Sequence, residues 1–135
     1  MEQKTSTMEN DDMLGLKRFA PVVVRLGLAM VFVWFGLNQL TNTTEWLSFI
    51  PLWVTNLTGI TANTFVLVNG AAEILLAILL AVGIQIRVVA GLLCIHMFMI
   101  VLDVGLNAVG VRDVGLMFGL LSVGFHGKDL YSFDK

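Results

Sequence analysis

The sequence predicts an all-α fold, a polytopic membrane protein built as an antiparallel four-transmembrane-helix bundle with a short interfacial segment in the first outer loop. Three observations carry this expectation. Of the 135 residues, 57% are hydrophobic and only 13% charged, too few charges to cover a soluble domain of this size. Seven of the 18 Asp, Glu, Lys and Arg residues crowd into the first 18 positions. The rest falls into apolar runs long enough to cross a bilayer, and the mean hydropathy of the chain is +0.86. The length allows one domain: a polar tail over 1–18, the helical domain over 19–127 and a short second tail over 128–135.

The tail, MEQKTSTMENDDMLGLKR, carries four acids. A cleavable signal peptide wants a basic start, a short apolar core and a small-residue cut site. This tail leads instead into a run of ~20 apolar residues, long enough to span and stay. The tail therefore reads as a solvated terminus.

The first span is expected at about 20–40 and the second at about 65–84. Between Val88 and Phe125 the run is interrupted only by Asp103, Asn107, Arg112 and Asp113. That is too long for one crossing and suits two, at about 88–105 and 108–125, with a tight turn near Leu106 and Asn107. Each must be helical, because in lipid every backbone group needs an internal partner.

Basic residues indicate the orientation. Lys4, Lys17, Arg18, Arg25, Arg87, Lys128 and Lys135 fall on one side and Arg112 on the other. The expectation is a multi-pass protein of the cell membrane with both termini cytoplasmic. In the outer loop, Trp46, Phe49, Leu52 and Trp53 recur at helical spacing around Pro51. This suits a segment lying in the interface, with Trp46 and Trp53 as anchors; it serves either as an anchoring cap over the bundle or as a lid or docking surface. Asn42 and Asn56 stand in N-x-T acceptor sequences on that side.

A net charge of −2 gives no reason to expect a nucleic-acid partner. The single cysteine, Cys94, makes no internal disulfide or CxxC pair and reads as small apolar packing.

The stretch VLVNGAAEILLAILLAVG places Glu73 in the middle of the second span. If the hairpins turn near 85 and 107, Asn69 lies level with Asp103, and Asp103 with Arg112, one turn inside the outer boundary. Glu73 then lies one turn deeper, near His96, and Asn38 and Gln39 end the first span at the same side. Asn69, Glu73, Ala77 and Ala81 share one face of the second helix. His96, Met99 and Asp103 share one of the third, and Arg112, Gly115, Gly119, Ser122 and His126 one of the fourth. Small residues mixed with polar ones suit a bundle interior in lipid. The expectation is an outward-opening pocket with Asp103, Arg112 and Asp113 near its mouth and Glu73 towards its floor.

An acid at mid-membrane costs a few kcal/mol unless paired or protonated. In one reading Glu73 and Asp103 pair with Arg25 and Arg112 and lock the bundle. In the other Glu73, the best catalytic candidate, is a protonatable site at the polar end of a ligand pocket. Arg25, entering from the inner side, either snorkels there or reaches towards Glu73.

No GxGxxG, P-loop, G-x-S-x-G or HExxH motif is present. The two histidines, His96 and His126, lie at different depths, which disfavours a self-contained haem. A metal site would need His96 with Glu73 or Asp103, a thin donor set, so no metal is expected and no cofactor is bound by a recognisable motif.

With these residues in view, the chain resembles the DoxX family of small four-span membrane proteins. The resemblance rests on R25-LGLAMVFVWFG-L-N-Q-L40, on Trp46 and Pro51, on G70-AAE-ILLAILLAVG, on R87-VVAG and on R112-DVGL, and covers residues 20–126. It carries over Arg25, Glu73 and Arg87, with Arg112 and Asp113. Where such proteins typically read lysine near the end of the first helix, this chain has Gln39, one outer cation fewer. The family is named for a subunit of a thiosulfate:quinone oxidoreductase, and other members are associated with membrane redox complexes. The resemblance thus implies a quinone-linked setting, with quinone as a candidate ligand.

The first functional reading is a non-catalytic or accessory subunit of a larger membrane complex, with the lipid bilayer and other subunits as partners. The alternative is a stand-alone membrane oxidoreductase, or a quinone, lipid or small-molecule binder, using the polar pocket around Glu73. A homo-oligomer fits either. A transporter is disfavoured by the lack of a broken-helix pair.

Overall fold

The computed structural model describes the backbone of residues 2–133 and the side chains of residues 13–133. It is all-helical among the described residues, with α1 (Glu2–Thr41), α2 (Thr43–Trp46), a 3-10 turn (Leu47–Phe49), α3 (Leu52–Thr58), α4 (Ala62–Val82), α5 (Ile86–Val104) and α6 (Ala108–His126). Four helices are long and apolar enough to cross a membrane: Met13–Thr41 of α1, then α4, α5 and α6. The protein is a multi-pass membrane protein. The side chains of the expected solvated tail up to residue 12 lie outside the described residues; its backbone from Glu2 is helical and runs on into the first span. Pro21 lies inside this helix; its missing N–H leaves the Lys17 carbonyl without the usual helical donor.

Turn chemistry sets the hairpins. Gly83 ends α4 in the left-handed region, and Gln85, with φ of 50°, is the N-cap of α5. At the other end Gly105 closes α5, and the Asn107 side chain accepts from the backbone N–H groups of Val109 and Gly110 to start α6. The connections are short, so neighbours run antiparallel. We call the end of the bundle away from both termini the outer end, after the orientation expected from the basic residues.

The core joins Phe32, Leu80, Leu93 and Leu120, all fully buried, with Ala29, Ala77, Ala90 and Met97. Most remaining large apolar side chains point outward, Val23, Met30, Leu75, Ile95 and Phe118 among them. This is the expected inversion for helices whose solvent is lipid. Helices α1 and α4 approach closely. A Cβ on Gly36 would lie 2.6 Å from the Gly70 carbonyl oxygen, and one on Gly70 2.9 Å from the Gly36 carbonyl oxygen. Only glycine at both positions lets the backbones meet.

Two expected helix faces are corrected. On α6 the buried residues are Gly110, Asp113, Leu120 and Val123, whereas Arg112, Gly115, Ser122 and His126 are exposed and Gly119 half-buried. On α5, Ile86, Val89, Ala90, Leu93 and Met97 are buried, His96 is half-buried, and Met99 and Asp103 are exposed. The reason is physical. Small residues read as interior only where a neighbour presses on them, and nothing lies within 4 Å of a Cβ on Gly115.

Candidate functional site

Four polar or charged residues are buried as a whole among the described residues, Arg25, Gln39, Glu73 and Asp113, and the side chain of Asp129 is buried as well. They belong to three places: the floor of an outer cavity, its rim, and the inner end of the bundle.

The cavity measures about 560 Å³ and lies between the outer halves of α1, α4, α5 and α6 under the α2–α3 segment. Its volume falls in the range of small-molecule sites, ~300–1,000 Å³. Trp34 and Phe35 of α1, Trp46, Phe49 and Trp53 of the loop, and Phe65 of α4 contribute aromatic surface. All three tryptophans of the chain line it.

At the floor the residue Glu73 is 4% exposed. The Gln39 Nε2 donates to its Oε2 at 2.8 Å, and the Asn69 Nδ2 donates to its Oε1 at 3.1 Å. Asn69 Nδ2 also donates to the Gln39 Oε1 at 2.8 Å. The His96 Nε2 lies 2.6 Å from Glu73 Oε1. The helices explain the convergence. Gln39 and Glu73 each stand three residues beyond the glycine at which α1 and α4 touch, and on a helix that spacing keeps them on the contact face. Asn69 and Glu73 are one turn apart on α4 and share a face. No buried side-chain N or O among the described residues lacks a partner.

The contact between His96 Nε2 and Glu73 Oε1 is a hydrogen bond whose donor is whichever of the two atoms carries the hydrogen. With Glu73 ionised, His96 donates and the carboxylate accepts three hydrogen bonds. With Glu73 protonated, its hydroxyl donates to the His96 ring nitrogen. His96 is the more open partner, its side chain 25% exposed against 5% for Glu73.

At the rim the Arg112 Nε donates to Asp113 Oδ1 at 2.8 Å, and the guanidinium lies 4.9 Å above the Phe35 ring. Asp113 is buried while the Arg112 side chain is half exposed. The two expected locks do not form. Arg112 pairs with its sequence neighbour rather than with Asp103, and Arg25 is not at Glu73. Asp103 lines the cavity from an exposed position. A long arginine can lie over an aromatic ring and still reach water, so no cross-helix acid is needed to satisfy it.

The α2–α3 segment roofs the cavity. Trp46 Nε1 donates to Asn38 Oδ1 at 2.8 Å, and the Trp46 ring stands edge-on to Phe35 at 6.0 Å. Trp53 lines the roof and is 56% exposed. Asn42 and Asn56 are exposed.

Arg25 belongs to the inner end. Its Nε donates to Asp129 Oδ2 at 2.7 Å and its Nη2 to Asp129 Oδ1 at 3.2 Å. Nη1 donates to the Leu80 carbonyl at 2.6 Å and to the Ala81 carbonyl. The guanidinium thus ties α1 to the end of α4 and to the tail after α6, and Phe133 N–H donates to the Val82 carbonyl at 3.3 Å beside it. Of the two directions open to Arg25, the side chain takes the inner one and is 1% exposed there.

Of the sequence-predicted residues, Asn38, Gln39, Asn69, Glu73, His96, Asp103, Arg112 and Asp113 all line the cavity; Arg25 does not. Sequence reasoning missed Asp129, although a deep inner arginine calls for an inner acid and Asp129 stands just past the last span. It also missed Trp34 and Phe35, which read as ordinary members of an apolar run. No group of three or more His, Cys, Asp or Glu able to hold a metal occurs among the described residues.

The DoxX family model matches residues 20–106, well over half of the 135-residue chain. Neither the curated proteins nor the solved structures give a match. The chain belongs to the DoxX family.

Proposed function

We propose that this DoxX-family membrane protein binds a small amphiphilic molecule in its outer cavity, with the molecule's polar end at Glu73 and His96 and its apolar part against the aromatic walls. The observation that supports this best is the company Glu73 keeps. It lies on the floor of an open cavity among two amides and an imidazole, with no guanidinium. A carboxylate kept only to lock helices would do better against a fixed cation, as Arg25 and Asp129 show.

A planar ring bearing carbonyl or hydroxyl oxygens suits such a site. Its faces stack on aromatic side chains, and its oxygen meets the hydrogen-bonded Glu73–His96 pair. A quinone head group has this chemistry, and the setting implied by the family resemblance agrees with it. On this reading the chain supplies binding and a proton-holding pair, while electrons come from elsewhere.

The reading as an accessory subunit is compatible with this one. It is favoured by apolar residues standing free at the outer end, Leu52 at 80%, Leu57 at 79% and Leu106 at 81% exposure. The distribution of basic residues supports cytoplasmic termini, which turns this end and the cavity outward.

The test is tryptophan fluorescence of the purified protein in detergent, titrated with a short-chain benzoquinone. Saturable quenching is expected, because every tryptophan lines the cavity. Glu73→Gln should weaken it about tenfold, ~1.4 kcal/mol. Quenching that rises linearly, the same in both proteins, would end the reading. Native mass spectrometry of the assembly from its own membrane then separates a subunit from a stand-alone binder.

A further inference from the structure

A second cavity lies on the outside of the bundle, between α5 and α6 near their inner ends. It measures about 180 Å³ and is lined by Gly91, Cys94, Leu121, Gly124 and Phe125, with Arg87 at its inner end. Its walls are apolar, and from Arg87 to Cys94 it follows α5 for two turns, roughly 10 Å. One leaflet of hydrocarbon is roughly 15 Å thick, so the groove spans most of it.

The glycines here do not serve helix contact. A Cβ on Gly91 would meet nothing within 4 Å, and one on Gly124 only the Ala90 Cβ at an ordinary 3.6 Å. Glycine in a helix costs up to ~1 kcal/mol relative to alanine. What the pair leaves is open space beside Phe125, which stands 81% exposed as a flange.

Charge tells what fits. Arg87 is exposed, and its guanidinium folds over Gly127 at the C-terminal end of α6. It forms no ion pair with an acid of the described chain, and the nearby Asp129 is taken by Arg25. Lys17 and Arg18 lie at the same end of the bundle. An apolar groove ending in an available cation at headgroup level complements an anionic phospholipid, with an acyl chain in the slot and the phosphate at the top.

We infer that the α5–α6 groove is a binding site for an anionic phospholipid, whose acyl chain lies along Gly91 and Gly124 and whose phosphate is held by Arg87. The site is independent of the outer cavity and its occupant.

The experiment is native mass spectrometry of the full chain in detergent with dioleoyl phosphatidylglycerol, and dioleoyl phosphatidylcholine as the neutral control. Wild type should retain one phosphatidylglycerol at least fivefold more than phosphatidylcholine. Arg87→Gln should abolish that preference. Gly91→Leu fills the slot without a clash and should reduce retention of both lipids. A melting curve in detergent shows that each variant is folded. Equal retention of the two lipids by wild type overturns the proposal, and so does wild-type retention in the folded variants. Quinone quenching should be the same in all three proteins, so this site and the outer cavity succeed or fail separately.

Discussion

The two ends of this bundle each bury an acid, and they bury it differently. At the inner end Asp129 faces Arg25 through two hydrogen bonds, and main-chain carbonyls of α4 and of the tail accept further guanidinium hydrogens. At the outer end Glu73 faces Gln39, Asn69 and His96 beneath a cavity of about 560 Å³. The inner acid is matched by a permanent cation. The outer acid is matched by neutral donors and one group that can gain or lose a proton. A fixed charge pair is suited to holding elements together, whereas an acid among neutral amide donors and an imidazole, beside open space, can respond to what enters. Burial alone does not separate lock from site; the partner does.

The comparison breaks most visibly at the inner end. Arg25→Leu leaves the Asp129 carboxylate without its cation and unties α1 from α4 and the tail. Losing one partner of a buried pair costs about 3–5 kcal/mol, so the melting temperature in detergent should fall by many degrees while quinone quenching, measured below the melt, keeps its midpoint. A loss of binding without a loss of stability would reverse the assignment of the two ends.

Next in size, Glu73→Gln should do the opposite. It keeps shape and much of the hydrogen bonding, so stability should change by no more than about 1 kcal/mol while quinone affinity falls about tenfold. A melting temperature that drops as far as in Arg25→Leu would make Glu73 a lock as well.

Gln39→Lys sharpens the contrast by giving the outer acid the permanent cation that the inner one has. It should convert the floor into an ion pair, weakening quenching about fivefold with stability held within about 1 kcal/mol, since a buried pair gains little net energy. Unchanged affinity would mean that the neutrality of the floor is irrelevant.

The smallest effect is expected at the roof. Trp46→Phe removes the hydrogen bond to Asn38, worth about 1 kcal/mol, and should speed ligand release two- to threefold in stopped-flow fluorescence through Trp34 and Trp53. A slower release would show that the α2–α3 segment does not retain the occupant.

Much of the outer site is legible in the chain. The apolar runs, the turn residues near 85 and 107 and the matched depths put Glu73 near His96 and Asn69 from sequence alone. Depth is a one-dimensional property that a helical rise converts directly into distance. Rotation is less legible. On α6 the small and polar stripe through Arg112 and Gly115 looks like an interior face, yet Asp113 and Leu120 turn inward. A helix surrounded by apolar groups on every side gives a weak amphipathic signal, because lipid and core ask for the same residues.

The class of molecule, the four crossings, the level of the polar residues and, through its ordered motifs, the family can all be read along the chain. Those features depend on hydropathy, length and turn chemistry, which are local. Which charge meets which is fixed by the packing of the helices. That Arg25 meets Asp129 rather than Glu73, and Arg112 Asp113 rather than Asp103, depends on helix rotation, on the tail folding back, and on the Gly36–Gly70 contact that brings Gln39 to the acid. These are choices among charges of similar depth, and they are settled by side-chain reach and backbone approach, which no linear pattern records.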